Sequence, residues 1–258
     1  MSETNGEPVK CVKSEDGALW SLTLARPERR NAITVAMYAA LADAFEAAAK
    51  DEAVRVIRLA GEGVDFTAGN DLHDFMTERP TIDENLPVYR LLRALAHNMV
   101  PIVAAVQGNA VGIGTTMLMH CDLVVAEETA RFRMPFVDLG LVPEAASSLL
   151  FPMLAGRRAA ARTMLLTEPF SAADALSYGL ASHVVPAGQA GAKADAIAEA
   201  LLAKPAEALR LTQKLLRTSS DKEAVLARMN EENGHFAARL SSPEVAQAIM
   251  AFFAKKGG

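Results

Sequence analysis

The chain lacks several features that would assign it to a class of proteins at once. Its 258 residues include only two cysteines, Cys11 and Cys121, which form neither a disulfide framework nor a metal-ligand pattern and indicate a reducing compartment. No apolar run reaches the length of about 18 residues that crosses a membrane. The polar N-terminus MSETNGEPVK has no secretory apolar core, and the C-terminal KKGG is not a peroxisomal address. We therefore expect a cytoplasmic protein without membrane contact.

Charge and missing motifs exclude further classes. The net charge of −5 and the scattered basic residues argue against nucleic-acid binding. The five histidines have no metal-ligand spacing, so we expect no metal. A serine hydrolase is not indicated either, because no Gly-x-Ser-x-Gly elbow is present. The chain does have many hydrophobic residues, 51% of the total, which is ample for a packed core.

Strand-like and helix-like segments alternate over the first two thirds of the chain. Helical spacing extends from Thr34, a plausible N-cap, to Lys50, and again over residues 84–98. Segments rich in Val, Ile and Leu predict strands at VKCVK, ALWSLTLA, VRVIRLAG, PIVAAVQG and CDLVVA. This alternation predicts an α/β core. From Ala190 onward four helical segments follow, which we expect to pack on the first domain or on a neighbouring subunit.

Two glycine-bearing turns offer a possible site for an anion. DFTAGNDL, residues 65–72, has the pattern of an ordinary strand-turn-helix joint, but Gly69 could also turn the next N–H into a cleft. VQGNAVGIGTTM, residues 106–117, has the spacing G-x-x-x-G-x-G, which matches neither a dinucleotide fingerprint nor a P-loop. It instead predicts a helix N-terminus with free N–H groups beside a strand end. Two such turns could each present one N–H to a single carbonyl oxygen.

One glutamate, Glu144, follows a Gly-Leu-Val-Pro turn in RMPFVDLGLVPEAASS. An acidic residue near the first turn of a helix is common, because free N–H groups and the helix dipole favour negative charge there. The alternative is a catalytic carboxylate. The local sequence leaves both interpretations open.

The chain resembles the crotonase (enoyl-CoA hydratase/isomerase) superfamily from about residue 9 to the C-terminal helices. The resemblance rests on five motifs in order: RPERRNAIT, FTAGNDL, PIVAAVQGNAVGIG, CDLVVAEETARFRMPFVDLGLVP and SAADALSYGLASHVVP. It implies a spiral of ββα units over residues 1–190 and a helical trimerisation region over residues 191–258. It further implies a homotrimer or dimer of trimers, an acyl-CoA thioester substrate, and no separate cofactor, since coenzyme A arrives as part of the substrate.

The same resemblance implies the site residues. The thioester oxygen would accept hydrogen bonds from the backbone N–H groups of Asn70 and Ile113, where Ile113 replaces the usual middle glycine of Gly-Gly-Gly. The segment at residues 77–87 resembles the variable lid that shapes the acyl pocket. The positions implied to bind the coenzyme A part are Arg29, Arg30, Ala32, Ala68, Asn70, Asp71, Leu72, Gly112 and Pro135.

The catalytic carboxylates depart from the hydratase pattern. The two positions that hold glutamates in a typical hydratase of the family are Thr116 and Phe136 here. Glu144, by contrast, occupies the position of the catalytic glutamate in the peroxisomal-type branch of Δ3,Δ2-enoyl-CoA isomerases. Apolar neighbours such as Phe136 and Leu139 are expected to raise its pKa.

The predicted function is therefore conversion of 3-enoyl-CoA to trans-2-enoyl-CoA, with Glu144 as the single proton shuttle. One alternative is a hydratase or other crotonase-type lyase that uses Glu144 alone or with Asp138, although a structural role in the turn is expected for Asp138. A second alternative is a non-catalytic acyl-CoA-binding protein.

Overall fold

A computed structural model of the chain describes residues 7–71, 85–217 and 219–256, without the side chains of 219–221 and 252–256. Leu72, one of the implied coenzyme A contacts, lies outside the described residues. Residues 77–84 of the lid-like segment also lie outside the described residues. The side chains of Phe252 and Phe253 near the C-terminus are also outside the described part.

The strands form two sheets. The larger sheet consists of β1 (Val9–Lys13), β2 (Leu19–Leu24), β3 (Val56–Gly61), β4 (Ile102–Val106), β6 (Leu123–Glu127) and β9 (His183–Val185), in that spatial order. Its β1 and β2 are antiparallel and all other neighbours are parallel. The smaller sheet consists of β5 (Asn109–Val111), β7 (Arg131–Arg133) and β8 (Phe170–Ser171). All five strands predicted from composition are therefore present, within one or two residues at each end.

Helices cover the sheets and make up the C-terminal part. They are α1 (Val35–Ala48), α2 (Pro87–His97), α3 (Ile113–Thr116), α4 (Ser147–Ala155), α5 (Arg157–Met164), α6 (Ala172–Ser177), α7 (Ala190–Leu202), α8 (Ala206–Leu216), α9 (Ser219–Leu240) and α10 (Pro243–Lys256). Short 3-10 helices lie at Pro27–Arg29, Met117–His120 and Val137–Leu139. The expected α/β fold is confirmed, as are the four helices after residue 190.

Helix α1 begins where the sequence predicts it. The Oγ1 of Thr34 accepts a hydrogen bond from the N–H of Met37 at 3.3 Å, which satisfies one of the free N–H groups at the helix start. Met37, Leu41 and Phe45 recur at helical spacing and are buried against the core. Helix α2 begins at Pro87, which is tolerated there because a first helical residue has no intrahelical use for its N–H.

The central strand β4 is buried on both faces, as is typical of a parallel sheet. Ile102, Ala104 and Val106 face the main core, whereas Val103 and Ala105 pack against α7. On α7 the small residues Ala190, Ala194 and Ala198 lie four residues apart and allow the helix to approach the sheet closely. Helix α7 thus packs on the core, in agreement with one of the two placements predicted for the C-terminal helices.

The later helices also contribute to the main core. Met229 and Phe236 on α9 and Val245 and Ile249 on α10 are buried in it. The division into a core over residues 1–190 and a helical region over residues 191–258 that mediates oligomerisation stays a prediction. Within the described ranges, no helix has the length and apolar character needed to cross a membrane.

Candidate active site

Two turns from different strands lie side by side. Thr67 forms a parallel bridge with Ala110, in which the Thr67 N–H donates to Asn109 O at 3.0 Å and the Val111 N–H donates to Thr67 O at 3.1 Å. The contact continues at Gly69, where an added Cβ would lie 2.7 Å from the carbonyl oxygen of Val111. With a φ of +88°, Gly69 also has a conformation that side-chain-bearing residues rarely adopt. The turn that begins with Gly69 therefore requires glycine, as one of the two interpretations of DFTAGNDL predicts.

Asn70 and Ile113 follow at the end of this contact, and their N–H groups are available. Around Asn70, the Ile33 N–H donates to Gly69 O at 2.8 Å and the Asp71 N–H donates to Ile33 O at 2.9 Å, so the Asn70 N–H is outside this ladder. Ile113 is the first residue of α3, where N–H groups have no intrahelical acceptor. In the described ranges, neither N–H has a hydrogen-bond acceptor. The pair therefore has the donors that an oxyanion site needs.

The glycine before Ile113 leaves open space next to that N–H. Gly112 has a φ of +57°, and no described heavy atom beyond its chain neighbours would lie within 4 Å of a Cβ placed there. Ile113 itself is not among the residues with positive φ, and its side chain is fully buried. A β-branched residue is tolerated at this position because it begins a helix with ordinary backbone angles.

The implied coenzyme A positions on the first motif lie next to the Asn70 turn. The Ala68 N–H donates to Arg30 O at 2.9 Å, and one guanidinium nitrogen of Arg26 contacts both Ala32 O at 2.7 Å and the Asp71 carboxylate at 3.2 Å. These contacts bring Ala32, Ala68, Asn70 and Asp71 to one ledge.

The two arginines before this ledge differ in their surroundings. The side chain of Arg30 is 70% exposed and lies 3.7 Å from the Asp65 carboxylate, so its guanidinium faces solvent. Arg29 ends a 3-10 helix and is also exposed. Both side chains are accessible to a phosphate, as the resemblance implies, and the contact itself stays a prediction. Pro135 is half-buried and lies two residues after Arg133, whose carbonyl oxygen accepts the Gly112 N–H at 2.8 Å.

Sequence reasoning missed Asn31, which stabilises this ledge. Asn31 is fully buried with a φ of +53°. Its amide nitrogen donates to the carbonyl oxygens of Glu62 and Asp65, each at 2.8 Å, and to that of Phe66 at 3.2 Å. The tolerance of asparagine for left-handed backbone was the available signal.

Glu144 is buried, and no described residue forms an ion pair with it. Its side chain is 4% exposed, and within the described part of the chain its Oε1 has no hydrogen-bond partner. Burial, and next the negative charge of Glu232, raise its pKa from 4.5 to about 8. The direction of the shift and burial as its main cause agree with the prediction for this residue, whereas a contact with Phe136 or Leu139 stays a prediction and Glu232 was not foreseen. An ionised Glu144 is therefore an unusually strong base for a carboxylate.

Glu144 does not act as the acidic residue of a helix start. Helix α4 begins three residues later, at Ser147. The carboxylate that accepts from the N-terminal N–H groups of α4 belongs to Glu232, which accepts from Ala146 at 2.6 Å and from Ser148 at 2.9 Å. The interpretation of Glu144 as an acidic residue in the first turn of a helix is therefore wrong.

Two tyrosines lie near enough to Glu144 to be affected by its charge, and sequence reasoning missed both. The hydroxyl of Tyr38 on α1 donates to the side-chain oxygen of Asn70. Burial raises the pKa of Tyr38 well above its usual value, and the charge of Glu144 raises it further. The pKa of Tyr89 on α2 is raised by the same two causes in the same order. Both hydroxyls therefore lie within electrostatic range of the Glu144 carboxylate, and that of Tyr38 also contacts the Asn70 turn.

The other predicted candidates lie in structural contacts. The Asp138 carboxylate accepts from the Arg133 guanidinium at 2.7 Å and from the Thr167 hydroxyl at 2.6 Å, in agreement with the structural role expected for it. Thr116 and Phe136, at the positions of the two hydratase glutamates, are both buried. Among the described side chains, no group of three or more His, Cys, Asp or Glu is arranged to hold a metal ion.

Comparison with known proteins identifies the family of the chain. Residues 14–257 match the family model described as enoyl-CoA hydratase/isomerase. The chain is 32% identical over 248 residues to enoyl-CoA delta isomerase 2 of Rattus norvegicus, covering 94% of this chain and 63% of the rat protein. It is also 32% identical over 238 residues to 2,3-dehydroadipyl-CoA hydratase of Escherichia coli K12, covering 91% and 92% of the two chains.

A solved structure extends the likeness to the whole fold. The crystal structure of an enoyl-CoA hydratase/isomerase from Pseudoalteromonas atlantica T6c superposes with a TM-score of 0.89 at 40% identity, covering 96% of this chain and 98% of that one. The expected crotonase-type fold is thereby confirmed. The chain belongs to the enoyl-CoA hydratase/isomerase family of the crotonase superfamily and is an enzyme of that family.

Proposed function

We propose that the enzyme is a Δ3,Δ2-enoyl-CoA isomerase, which converts 3-enoyl-CoA to trans-2-enoyl-CoA with Glu144 as the single proton carrier. The proposal rests on the buried carboxylate of Glu144, which no described group neutralises, and on the backbone N–H groups of Asn70 and Ile113, which have no acceptor among the described residues. The open space at Gly112 leaves room for a thioester to approach the Ile113 N–H.

The chemistry of this isomerisation needs no water and no second carboxylate. Ionised Glu144 removes a proton from C2, and the electron pair moves through the thioester carbonyl to give a dienolate. The Asn70 and Ile113 N–H groups donate to its oxygen, and each such donor typically contributes about 10²–10³-fold in rate. Protonated Glu144 then returns the proton to C4, so that the double bond lies between C2 and C3 and the carboxylate is regenerated.

The surroundings of Glu144 suit the deprotonation step. The C2 proton of a thioester is weakly acidic, so a base of ordinary carboxylate strength would remove it slowly. Because burial raises the pKa of Glu144 to about 8, its ionised form accepts that proton more readily. The Tyr38 hydroxyl, which donates to the Asn70 side chain, helps to hold the turn that supplies one of the two N–H groups.

A hydratase is the main alternative, since relatives with both kinds of name occur in the family. Addition of water usually needs a second carboxylate to orient and activate it. The two usual positions are Thr116 and Phe136, and the Asp138 carboxylate is paired with Arg133 and Thr167. Both oxygens of Glu232 already accept backbone N–H groups. These contacts favour isomerisation over hydration.

The test compares two substrates at equal enzyme concentration. With 3-enoyl-CoA we expect the absorbance of the conjugated 2-enoyl thioester to appear at a rate far above solution background. With crotonyl-CoA we expect little loss of that absorbance. Rapid hydration of crotonyl-CoA with slow isomerisation would favour the hydratase, and activity on neither, despite measurable binding, would favour a non-catalytic acyl-CoA-binding protein.

A further inference from the structure

A carboxylate from the C-terminal helices reaches the segment next to Glu144. Glu232 on α9 is only 5% exposed, and each of its oxygens has a separate donor. Its Oε2 accepts from the Ala146 N–H at 2.6 Å and its Oε1 accepts from the Ser148 N–H at 2.9 Å. Glu232 thus caps α4 from a helix more than 80 residues later in the chain.

The segment that Glu232 holds is strained. Ala145 and Ala146 have φ values of +61° and +56°, in the left-handed region. For a residue with a Cβ this conformation costs about 1–2 kcal/mol each, so other contacts must maintain it. The peptide group between Ala145 and Ala146 is bound from two sides. Nε2 of His120 contacts Ala145 O at 2.8 Å, and the Glu232 carboxylate accepts from the Ala146 N–H. Glu144 immediately precedes this pair, so its backbone direction depends on them.

Glu232 also acts on Glu144 through its negative charge. Its negative charge adds to the effect of burial in raising the pKa of Glu144. Burial raises the pKa of Glu232 itself, while the hydrogen bonds from Ser148 and Ala146 and the positive charge of Arg228 oppose that rise.

The other titratable groups around Glu144 contribute less charge. Tyr38 on α1 and Tyr89 on α2 are neutral at ordinary pH, because their pKa values are raised. Burial and the charge of Arg217, at the end of α8, keep His120 neutral by lowering its pKa to about 4. Among the described groups, Glu232 is therefore the charged residue with the strongest effect on Glu144.

We propose that Glu232 is a positioning residue of the active site, which fixes the backbone of Glu144 through Ala146 and Ser148 and holds a negative charge close to its carboxylate. This inference rests on the proposed role of Glu144 as the base. It assigns to α9 a function in catalysis in addition to packing.

Glu232→Gln tests the proposal, with Glu231→Gln as the matched control. Glutamine has nearly the same shape, but it has no charge and its amide nitrogen cannot accept one of the two N–H groups. Glu231 is the adjacent residue, exposed and paired with Arg228 at 3.4 Å, so its replacement removes an equal charge away from the site. The measurement is the pH dependence of kcat/KM for 3-enoyl-CoA for the wild type and both variants, after circular dichroism has established the fold.

The outcome is decided by the acid limb of the pH profile, which is the pH range over which kcat/KM rises as the catalytic base loses its proton. In the wild type and in Glu231→Gln the rate should rise with pH through a limb near pH 8, where Glu144 loses its proton. In Glu232→Gln the limb should move to lower pH, and the limiting rate should fall about tenfold or more, because a misplacement of about 1 Å can cost about 100-fold. A purely structural role would lower the melting temperature without moving the limb, so an unmoved limb in folded Glu232→Gln overturns the proposal.

A second variant covers the case in which the glutamine protein does not fold. Glu232→Asp keeps the charge, but its side chain is one methylene shorter and cannot reach both N–H groups. We expect a limb near its wild-type position and a lower limiting rate, and an unchanged limiting rate would overturn the proposal. A failure of the proposed function is distinguishable from a failure of the role of Glu232 alone. If Glu144 is not the base, the Glu144→Gln variant retains turnover, and the role of Glu232 is then wrong as well.

Discussion

Replacing Glu144 by glutamine should stabilise the protein at alkaline pH. The pKa of Glu144 is about 8 in the folded protein and 4.5 without the effects of folding. Because the folded-state value is the higher one, the folded protein binds this proton more tightly than the unfolded chain. The stabilisation from that proton is complete below about pH 4.5 and is lost progressively as the pH rises to about 8. A difference of about 3.5 pH units corresponds to about 5 kcal/mol.

The assay is denaturant unfolding of wild type and Glu144→Gln at a fixed protein concentration, at a series of pH values between 5 and 9. Glutamine does not titrate, so the unfolding free energy of the Glu144→Gln variant does not fall with rising pH on account of this residue. The advantage of the variant over the wild type should grow by about 4 kcal/mol across this range, most of it between pH 5 and 8. The control Glu231→Gln replaces an exposed carboxylate and should run parallel to the wild type. If the Glu144→Gln and wild-type curves are also parallel, Glu144 is not buried with a raised pKa, and the reasoning is refuted.

Three further predictions concern the donors, the turn and the assembly. Ile113→Pro removes one N–H at the first position of α3, where proline is tolerated. Turnover should therefore fall about 10²–10³-fold while acyl-CoA binding stays measurable. Near wild-type turnover in a folded variant would exclude Ile113 as a donor. Asp138→Asn should change turnover less than tenfold, since its carboxylate contacts Arg133 and Thr167, and a loss comparable to that of Glu144→Gln would contradict its structural role. The resemblance to the crotonase superfamily implies a trimer or a dimer of trimers. Leu165 and Leu166 are about two-thirds exposed in the single chain and offer an apolar surface that such an assembly would cover. Light scattering that shows a monomer at micromolar concentration would be inconsistent with this prediction.

Much of the fold was predictable because local signals agree with the tertiary structure. Thr34 caps α1, and the apolar residues after it recur at helical spacing. The buried strand β4 reads as a continuous apolar run, as expected for a parallel sheet covered on both faces. The glycine spacing of residues 106–117 predicted a helix start with free N–H groups, which is where α3 begins.

The surroundings of Glu144 were not predictable, because they depend on contacts between distant segments. Alanine has no preference for left-handed backbone, so nothing in the sequence indicates the conformations of Ala145 and Ala146. Glu232 had a weak signal. It lies three residues after Met229 and four before Phe236, both buried, which places it on the inner face of α9. An acidic residue in that pattern indicates a buried partner but does not identify it.

The role of Glu144 as the base is tested most directly by the turnover of Glu144→Gln on 3-enoyl-CoA at pH 9, where the wild-type carboxylate is mostly ionised. Glutamine keeps the size of the side chain but cannot accept the C2 proton. Substrate binding should therefore persist while kcat falls about 10²–10⁴-fold, or further because the same group also returns the proton. A folded Glu144→Gln protein that keeps kcat within about tenfold of the wild type would contradict the mechanism.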